Sequence, residues 1–407
     1  MNYVAATNDN KNLKYTILLL CLGYFIDFYD LTIFSARYAT IIPDLFNITN
    51  TTAIQLLYIK ITNFYTVGIV LGCICFGVLG DKFGRMVIIK LSIIIYSLAI
   101  FFSIFTHSTT VFIGLRFLSG FGLATEFSTS SILIAELLVK NKEMNKKLSL
   151  LYFSGILGGI CATFLGTISW KIMFLFGSLF GIIIYVLRRR LIESTMFLNL
   201  PPFLKVQGSL IQLFNSLPKL IKLIRLIILI VPFYLLISIM FIYPSYMTIN
   251  LPLSQAITLL LIGFFIGNII STICAGILIP KLNSYNKYIW GSLLLFAIIM
   301  PGFTFVTDNT FLSYCILLGL LGGGYPVIWV QVVMKNYGTN QRSTATNFLY
   351  AMGRGSGILL NLIISALLAH KYFIPYAYLL IIGVIALVGM SLFFSQEKYT
   401  TSLPTIE

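Results

Sequence analysis

The 407 residues are 58% hydrophobic and only 10% charged, with a mean hydropathy of +0.97. A soluble domain carries about 45 to 50% apolar and about 25% charged residues, so a soluble fold is excluded. The formal net charge of +15 would suggest nucleic acid as a partner of a soluble protein, but in a chain this apolar the placement of the charges matters more than their sum.

Apolar runs of about 20 residues, enough to cross a hydrocarbon core roughly 30 Å thick as helix, recur along nearly the whole length. They predict twelve spans, near 15 to 38, 56 to 79, 86 to 105, 111 to 138, 148 to 167, 170 to 187, 226 to 249, 256 to 279, 288 to 306, 311 to 334, 343 to 368 and 376 to 394. The first run is too long for a signal peptide and carries two aspartates, which predicts a retained helix. With the N-terminus in the cytoplasm, 21 of the 27 basic residues fall on inner segments, and the outer connections keep only Lys171, Lys371 and Arg37. That bias follows the positive-inside rule, and it predicts an even number of spans with both termini cytoplasmic. The six cysteines all fall inside expected spans without ligand-like spacing and read as small core residues.

A shift of 199 residues superposes Gly77-Val78-Leu79 on Gly276-Ile277-Leu278, Lys82 on Lys281, Phe112 on Phe311 and Gly120 on Gly319. A constant offset is what a duplicated six-helix unit leaves, and parallel halves of this kind place the substrate site at their interface near mid-membrane. The expected organisation is an N-terminal six-helix bundle over 1–187, a basic cytoplasmic linker over 188–225 and a C-terminal six-helix bundle over 226–407. The linker carries Arg188-Arg189-Arg190 and Pro201-Pro202, a composition suited to the anionic inner leaflet.

Between the second and third spans stands GVLGDKFGR, from Gly77 to Arg85. Gly77 and Gly84 let backbones approach and turn, Asp81 can cap the next helix, and Arg85 can bridge to an acidic group. The segment resembles the G-x-x-x-D-x-x-G-R loop of the major facilitator superfamily. The fourth span, RFLSGFGLATEFSTSSILIAE from Arg116 to Glu136, is similar to that of sugar porters and metabolite:proton symporters, where the terminal Glu works with the loop arginine. Arg188 to Thr195 looks like the basic Glu-Ser-Pro segment of the same families, with Thr195 in place of the proline. In the first span, Gly23 to Asp30 resembles the acidic-aromatic-Tyr-Asp opening of metabolite:proton symporters, with Asp27 where that branch often has Glu. Arg342 to Asn347 and Gly353-Arg354 look more like carboxylate symporters, whereas Ile69-Val70 and Ala124-Thr125 depart from the osmolyte branch. The resemblance implies an all-α membrane protein with twelve helices in two pseudo-symmetric bundles. It also implies a conformational latch of Gly77, Asp81, Gly84, Arg85 and Glu136.

An unpaired charge at the bilayer centre costs about 2.5 to 3.5 kcal/mol even on a lenient scale, so acids kept there need a partner, a wet cavity or a task. The first half keeps three, Asp27, Asp30 and Glu126, and the spans of the second half keep none. Because relatives couple protons through an aspartate of the first helix and an arginine of the fourth, the resemblance implies Asp30 as proton carrier and Arg116 as its switchable partner. Asp27 either tunes Asp30 or contacts a cationic substrate group, and Glu126 is the second candidate proton site. Lys60 and Arg354 are candidates to neutralise a substrate carboxylate or phosphate, with static pairing or snorkelling as the alternative for each. Tyr65, Tyr152, Asn268, Trp329, Gln331 and Asn347 are candidates to line a polar cavity with aromatic walls. Together these features predict a proton-coupled symporter of a small polar metabolite (an organic acid, a zwitterion or an osmolyte such as proline or betaine) in the inner (plasma) membrane. The alternative is a sugar or sugar-phosphate facilitator or exchanger. The expected partners are a small-molecule substrate and the lipid bilayer, with no nucleic acid, no metal and no cofactor besides the proton gradient, in a monomer. No nucleophile, phosphate loop or metal-ligand cluster suggests an enzyme.

Overall fold

The computed structural model of the chain describes residues 9–139, 141, 143–165, 168–191, 193–205, 208–242, 253–291, 306–368 and 403–404. Among the described residues the structure is helical with no strand, and eight helical stretches are long and apolar enough to cross a membrane. In chain order the main helices are α1 (Asp9–Phe46), α2 (Thr51–Phe83), α3 (Arg85–Ser103), α4 (Thr109–Leu123), α5 (Glu126–Leu137), α6 (Met144–Phe164) and α7 (Trp170–Leu187). Short turns at Thr195–Leu198 and Pro202–Lys205 lead to α8 (Leu217–Ile242), α9 (Leu253–Leu282), α10 (Phe311–Gly322), α11 (Tyr325–Asn336) and α12 (Arg342–Leu368). Residues 285–291 are also helical. The rest of the span expected near 288 to 306, and all of the one expected near 376 to 394, lie outside the described residues.

Helix forms here because a backbone in hydrocarbon has no water to bond and must satisfy its polar groups internally. Side chains then sort by face. Leu20, Ile33, Ile61 and Trp329 are buried between helices, while Leu71, Phe102, Phe164 and Ile183 stand on the outer surface, where lipid would lie. Within the first half α1 packs on α6 and α7, and α2 on α4; in the second half α8 packs on α12, and α9 on α10. Contacts between the halves run along two seams, α2 against α12 and α6 against α9.

Two spans that the sequence presents as continuous are interrupted. The fourth breaks at Ala124-Thr125, between α4 and α5, and the tenth at Gly323-Gly324, between α10 and α11. A freed carbonyl in the membrane needs a new donor. Ala124 O accepts the Cys73 thiol at 3.0 Å, and Gly323 O accepts the Thr272 hydroxyl at 2.9 Å. The two donors are 199 residues apart, as are the two acceptors. Cys73 therefore does more than fill core space. The other visible correction concerns α8, which begins at Leu217 rather than near 226, so Lys219 and Lys222 lie on the helix; the Lys222 ammonium donates to Asn336 O at 2.8 Å.

The same register governs the closest helix crossings. A Cβ on Gly68 would run into the Phe117 carbonyl, and one on Gly120 into the Tyr65 carbonyl; in the second half, Gly267 meets Ile316 O and Gly319 meets Phe264 O in the same way. Only glycine lets these backbones touch. Gly120→Val and Gly319→Val should each destabilise the protein by about 1 to 3 kcal/mol through overpacking. Thermal unfolding of the purified variants in detergent would measure it, and an unchanged melting curve for either would contradict the crossing.

Candidate functional site

The loop after α2 brings four charged groups together without water. Asp81, fully buried on the last turn of α2, accepts the backbone N–H groups of Ser343 at 3.0 Å and Thr344 at 2.7 Å, and the Thr344 hydroxyl at 2.7 Å. Those amides are among the unpaired donors at the start of α12, so a carboxylate of the first half caps a helix of the second. Arg85 donates to Gly80 O at 3.0 Å, to Glu136 at 3.1 Å and to Thr339 O at 2.7 Å, and stands 3.4 Å from Asp81. Glu136 is shared with Arg342 at 2.6 Å. A Cβ on Gly77 would press on Asn347 and on the Ser343 backbone, so glycine allows α2 and α12 to meet here.

Gly84 has φ 99°, a left-handed conformation that ordinary residues avoid, and it starts α3 directly after α2. The amide of Met86 at that new helix start donates to Glu193 at 2.9 Å, and Ser194 N donates to the other Glu193 oxygen at 2.9 Å. Burial pushes the Glu193 carboxyl above the usual range, against the opposing pull of these two N–H donors. Further contacts join the halves at the same end: Asn145 donates to Ala275 O at 3.3 Å and Gly276 O at 2.9 Å, and Gln331 donates to Asn145 at 2.7 Å. This is the end at which the sequence reading places most of the basic residues.

Glu126 opens α5 at the break in the fourth span and is bound on both oxygens by Arg188, with Nη1 at 3.0 Å and Nη2 on Oε1. The guanidinium also donates to Leu19 O, from Nε at 3.3 Å and Nη2 at 3.0 Å. Arg188, placed by its sequence context in the linker, thus turns back into the first bundle and is fully buried, whereas Arg189 remains exposed.

Between the basic end and the opposite end lies a cavity of about 200 Å³. Tyr24, Phe28, Phe34, Tyr58, Tyr65 and Tyr152 wall it from the first half, and Tyr234, Phe264, Phe265 and Tyr350 from the second. Two guanidinium groups line it, Arg116 from α4 and Arg354 from α12. The Arg116 carbon Cζ sits 4.8 Å from the ring centres of both Phe34 and Tyr65, a cation–π sandwich. Its Nε and Nη1 are buried without a hydrogen-bond partner. Arg354 donates to the Tyr350 hydroxyl, from Nε at 3.2 Å and Nη2 at 2.9 Å, and lies over the Tyr234 ring at 5.6 Å.

Asp30 and Arg116 are both buried and within electrostatic reach of one another, but no ion pair joins them in this conformation. Asp30 instead lies against Gly177 of α7, where neither of its oxygens has a hydrogen-bond partner. Asp27 is buried beside it, within electrostatic reach of Arg354 and Glu126.

Of the other expected lining residues, Tyr65, Tyr152, Asn268 and Arg354 face the cavity. Four do not. Lys60 is exposed and stands outside the lining. Trp329 is fully buried against Phe127 and Tyr350, behind the wall. Gln331 bonds Asn145 and Tyr285, and Asn347 bonds Ser128 and Ser343, so both tie helices together in this conformation. A helical period of 3.6 residues decides which side of a span is inward, and short polar side chains satisfy interhelical contacts as readily as cavities. Glu193, Arg342, Ser343 and Thr344 entered the sequence reading as parts of resembling segments, and Arg188 also as part of the basic linker; the unusual density of polar residues from Thr339 to Asn347 was the signal for Arg342, Ser343 and Thr344. Among the described residues no group of three or more His, Cys, Asp or Glu could hold a metal ion.

Broken helices, two seams and a cavity between halves define a polytopic membrane carrier. The Major Facilitator Superfamily model matches residues 20–360, and the chain belongs to that family. It is a transporter and not an enzyme, and the twelve-span fold of two pseudo-symmetric bundles expected from the sequence is the fold it adopts. It is 26% identical over 372 residues to the proline/betaine transporter of Salmonella typhimurium, covering 79% of this chain and 72% of the relative. It is also 30% identical over 137 residues to a niacin transporter of Acinetobacter baylyi, covering 32% of this chain and 31% of the relative. A proton:xylose symporter structure bound to 6-bromo-6-deoxy-D-glucose superposes with a TM-score of 0.77 at 16% identity, over 97% of this chain and 98% of that one.

Removing one member of a buried, hydrogen-bonded charge pair leaves the other uncompensated, at a cost of about 3 to 5 kcal/mol. Arg188→Met should therefore lower the melting temperature strongly, and the double variant Arg188→Met with Glu126→Leu should recover most of the loss. A double variant no better than the single one would show that the pair is not the source of the effect.

Proposed function

We propose that this carrier is a proton-coupled symporter that moves a small polar metabolite into the cytoplasm, with its basic end and both termini on the cytoplasmic side of the inner (plasma) membrane. The observation that carries the reading is Asp30. A carboxylate buried with both oxygens unpartnered is tolerable as the neutral acid and costly as an ion, so its proton and its surroundings are coupled. Arg116 is the group that stabilises the ionised form when the helices shift to bring the two together. In this conformation the pair is apart and Asp30 holds its proton. A swing that joins them releases it, which links proton binding to which side of the cavity is open.

The bundles over 1–187 and 226–407, joined by the linker over 188–225, rock as units about the α2/α12 and α6/α9 seams in a monomer. The cluster of Asp81, Arg85, Glu136 and Arg342 acts as the latch of the state in which the cytoplasmic end is shut. Support comes from the chemistry of these groups and from the names of relatives, which include proline/betaine, niacin and sialic acid transporters and a structure titled as a proton:xylose symporter. A sugar or sugar-phosphate facilitator has no need of an acid held as Asp30 is.

In proteoliposomes, uptake driven by an imposed pH gradient should collapse with a protonophore. Asp30→Asn should abolish accumulation above equilibrium and leave counterflow exchange within about twofold of wild type, since only the coupled proton is lost. Accumulation that survives the substitution would refute the role. For the latch, Asp81→Ala should open the cytoplasmic end: a cysteine placed at Asn145 on a cysteine-free background should be alkylated about tenfold faster or more, the rate expected if the closed state loses roughly 1.4 kcal/mol. Unchanged labelling would dismiss the latch.

A further inference from the structure

The proposed symport leaves the substrate's chemical class open, and the cavity restricts it. Among the polar groups that lack any hydrogen-bond partner and line the same cavity, three donors sit on three helices of the first half, the Thr32 hydroxyl on α1, the Tyr65 hydroxyl on α2 and the Arg116 guanidinium, with Nε and Nη1, on α4; the Thr62 hydroxyl and the acceptor Asn268 Oδ1 share the condition. All three residues are at least nine-tenths buried. Unmade hydrogen bonds of buried groups are costly, so such donors are completed by what binds there. A guanidinium with unpaired N–H groups is matched by a carboxylate, which accepts along one edge of the fork, and flanking hydroxyls add donors to the same oxygens.

The charge of the lining agrees. Among the described residues it contains Arg116 and Arg354 and no carboxylate; Asp27, Asp30 and Glu126 all lie outside it. Arg354 has Asp27 within electrostatic reach and the Tyr350 hydroxyl as acceptor, whereas Arg116 has aromatic faces and no hydrogen-bonded anion. With Asp30, the acid within electrostatic reach of Arg116, holding its proton as proposed above, one positive charge is left for the ligand to neutralise. Aromatic rings make up much of the remaining wall on both sides, from Tyr24, Phe28 and Tyr152 to Phe264, Phe265 and Tyr350, with Ser35, Thr62, Thr66 and Asn268 as further polar groups. Flat rings bury a flat apolar body well.

We infer that the substrate is a small monocarboxylate on a flat, largely apolar body, its carboxylate held by Arg116, Tyr65 and Thr32 and its body between the aromatic walls of the two halves. This rests on the transport reading and adds a consequence to it. The substrate carboxylate and ionised Asp30 compete for one guanidinium, so a loaded carrier keeps the proton on Asp30. Substrate anion and proton therefore travel together.

The test uses the full chain, purified and reconstituted, with benzoate as the probe and benzamide as its neutral isostere. Benzoate should be taken up saturably and should raise the melting temperature in detergent, and benzamide should compete at least tenfold more weakly. Arg116→Gln should erase that preference, so that the two compounds compete alike, while Arg116→Lys should retain part of it; a variant that merely misfolds would bind neither. Equal competition by benzamide in the wild type would overturn the inference. So would tighter competition by succinate, which would assign both guanidiniums to a dianion. Proton-coupled uptake of proline or xylose without benzoate uptake would sink the substrate class and spare the symport. Benzoate uptake indifferent to a protonophore would do the reverse.

Discussion

Glu136 holds two guanidinium groups from opposite halves of the protein, Arg85 at 3.1 Å and Arg342 at 2.6 Å, and so ties the halves together at this end. All three side chains are shut off from solvent. Charges in such a place survive when most donors and acceptors are paired, and the surrounding geometry supplies backbone carbonyls of Gly80 and Thr339 for Arg85, that of Met334 for Arg342, and the amides of α12 for Asp81, leaving Arg85 Nε and Glu136 Oε2 without a hydrogen-bond partner. A cluster of this kind is steep in its response. Once water enters such a cluster, its groups are solvated individually, which favours whole states over partial ones.

The middle of the molecule is built on the opposite principle. Asp30 and the two free nitrogens of Arg116 are buried with nothing to bond, and the Thr32 and Tyr65 hydroxyls share that condition. Buried groups left without partners need an explanation, and the proposed one is a proton, a ligand, or each other after a helix movement. The bidentate Arg188–Glu126 pair beside them is the static counterpart, fixing α5 and the end of α7 to α1 while its neighbours stay uncommitted.

The duplication gives both halves the same mechanical element. Cys73 and Thr272 each supply a hydrogen to the carbonyl at which a span breaks, and glycines at matching positions let the neighbouring helix touch. The chemistry of the two donors differs, thiol against hydroxyl, but the position is the same. Selection on geometry at a helix break tolerates any small donor, which explains why the internal sequence match is weak while the structural one keeps a single register.

The spans, the family and the basic end could be read from the chain alone, because hydropathy, the placement of Lys and Arg, and the GVLGDKFGR segment are properties of contiguous residues. So could the three acids that needed an explanation, since any carboxylate inside an apolar run is an anomaly before a fold is known. The partners could not. Arg188 meets Glu126 from 62 residues away, Asp81 meets α12 across 262, and the fourth span bends where a thiol from another helix receives its carbonyl. Whether Gln331 and Asn347 face a cavity or a neighbouring helix turns on the rotation of a span about its own axis, which packing sets and composition does not. Sequence fixes which groups must be accounted for; only the tertiary arrangement decides which of them are satisfied by one another and which are left waiting.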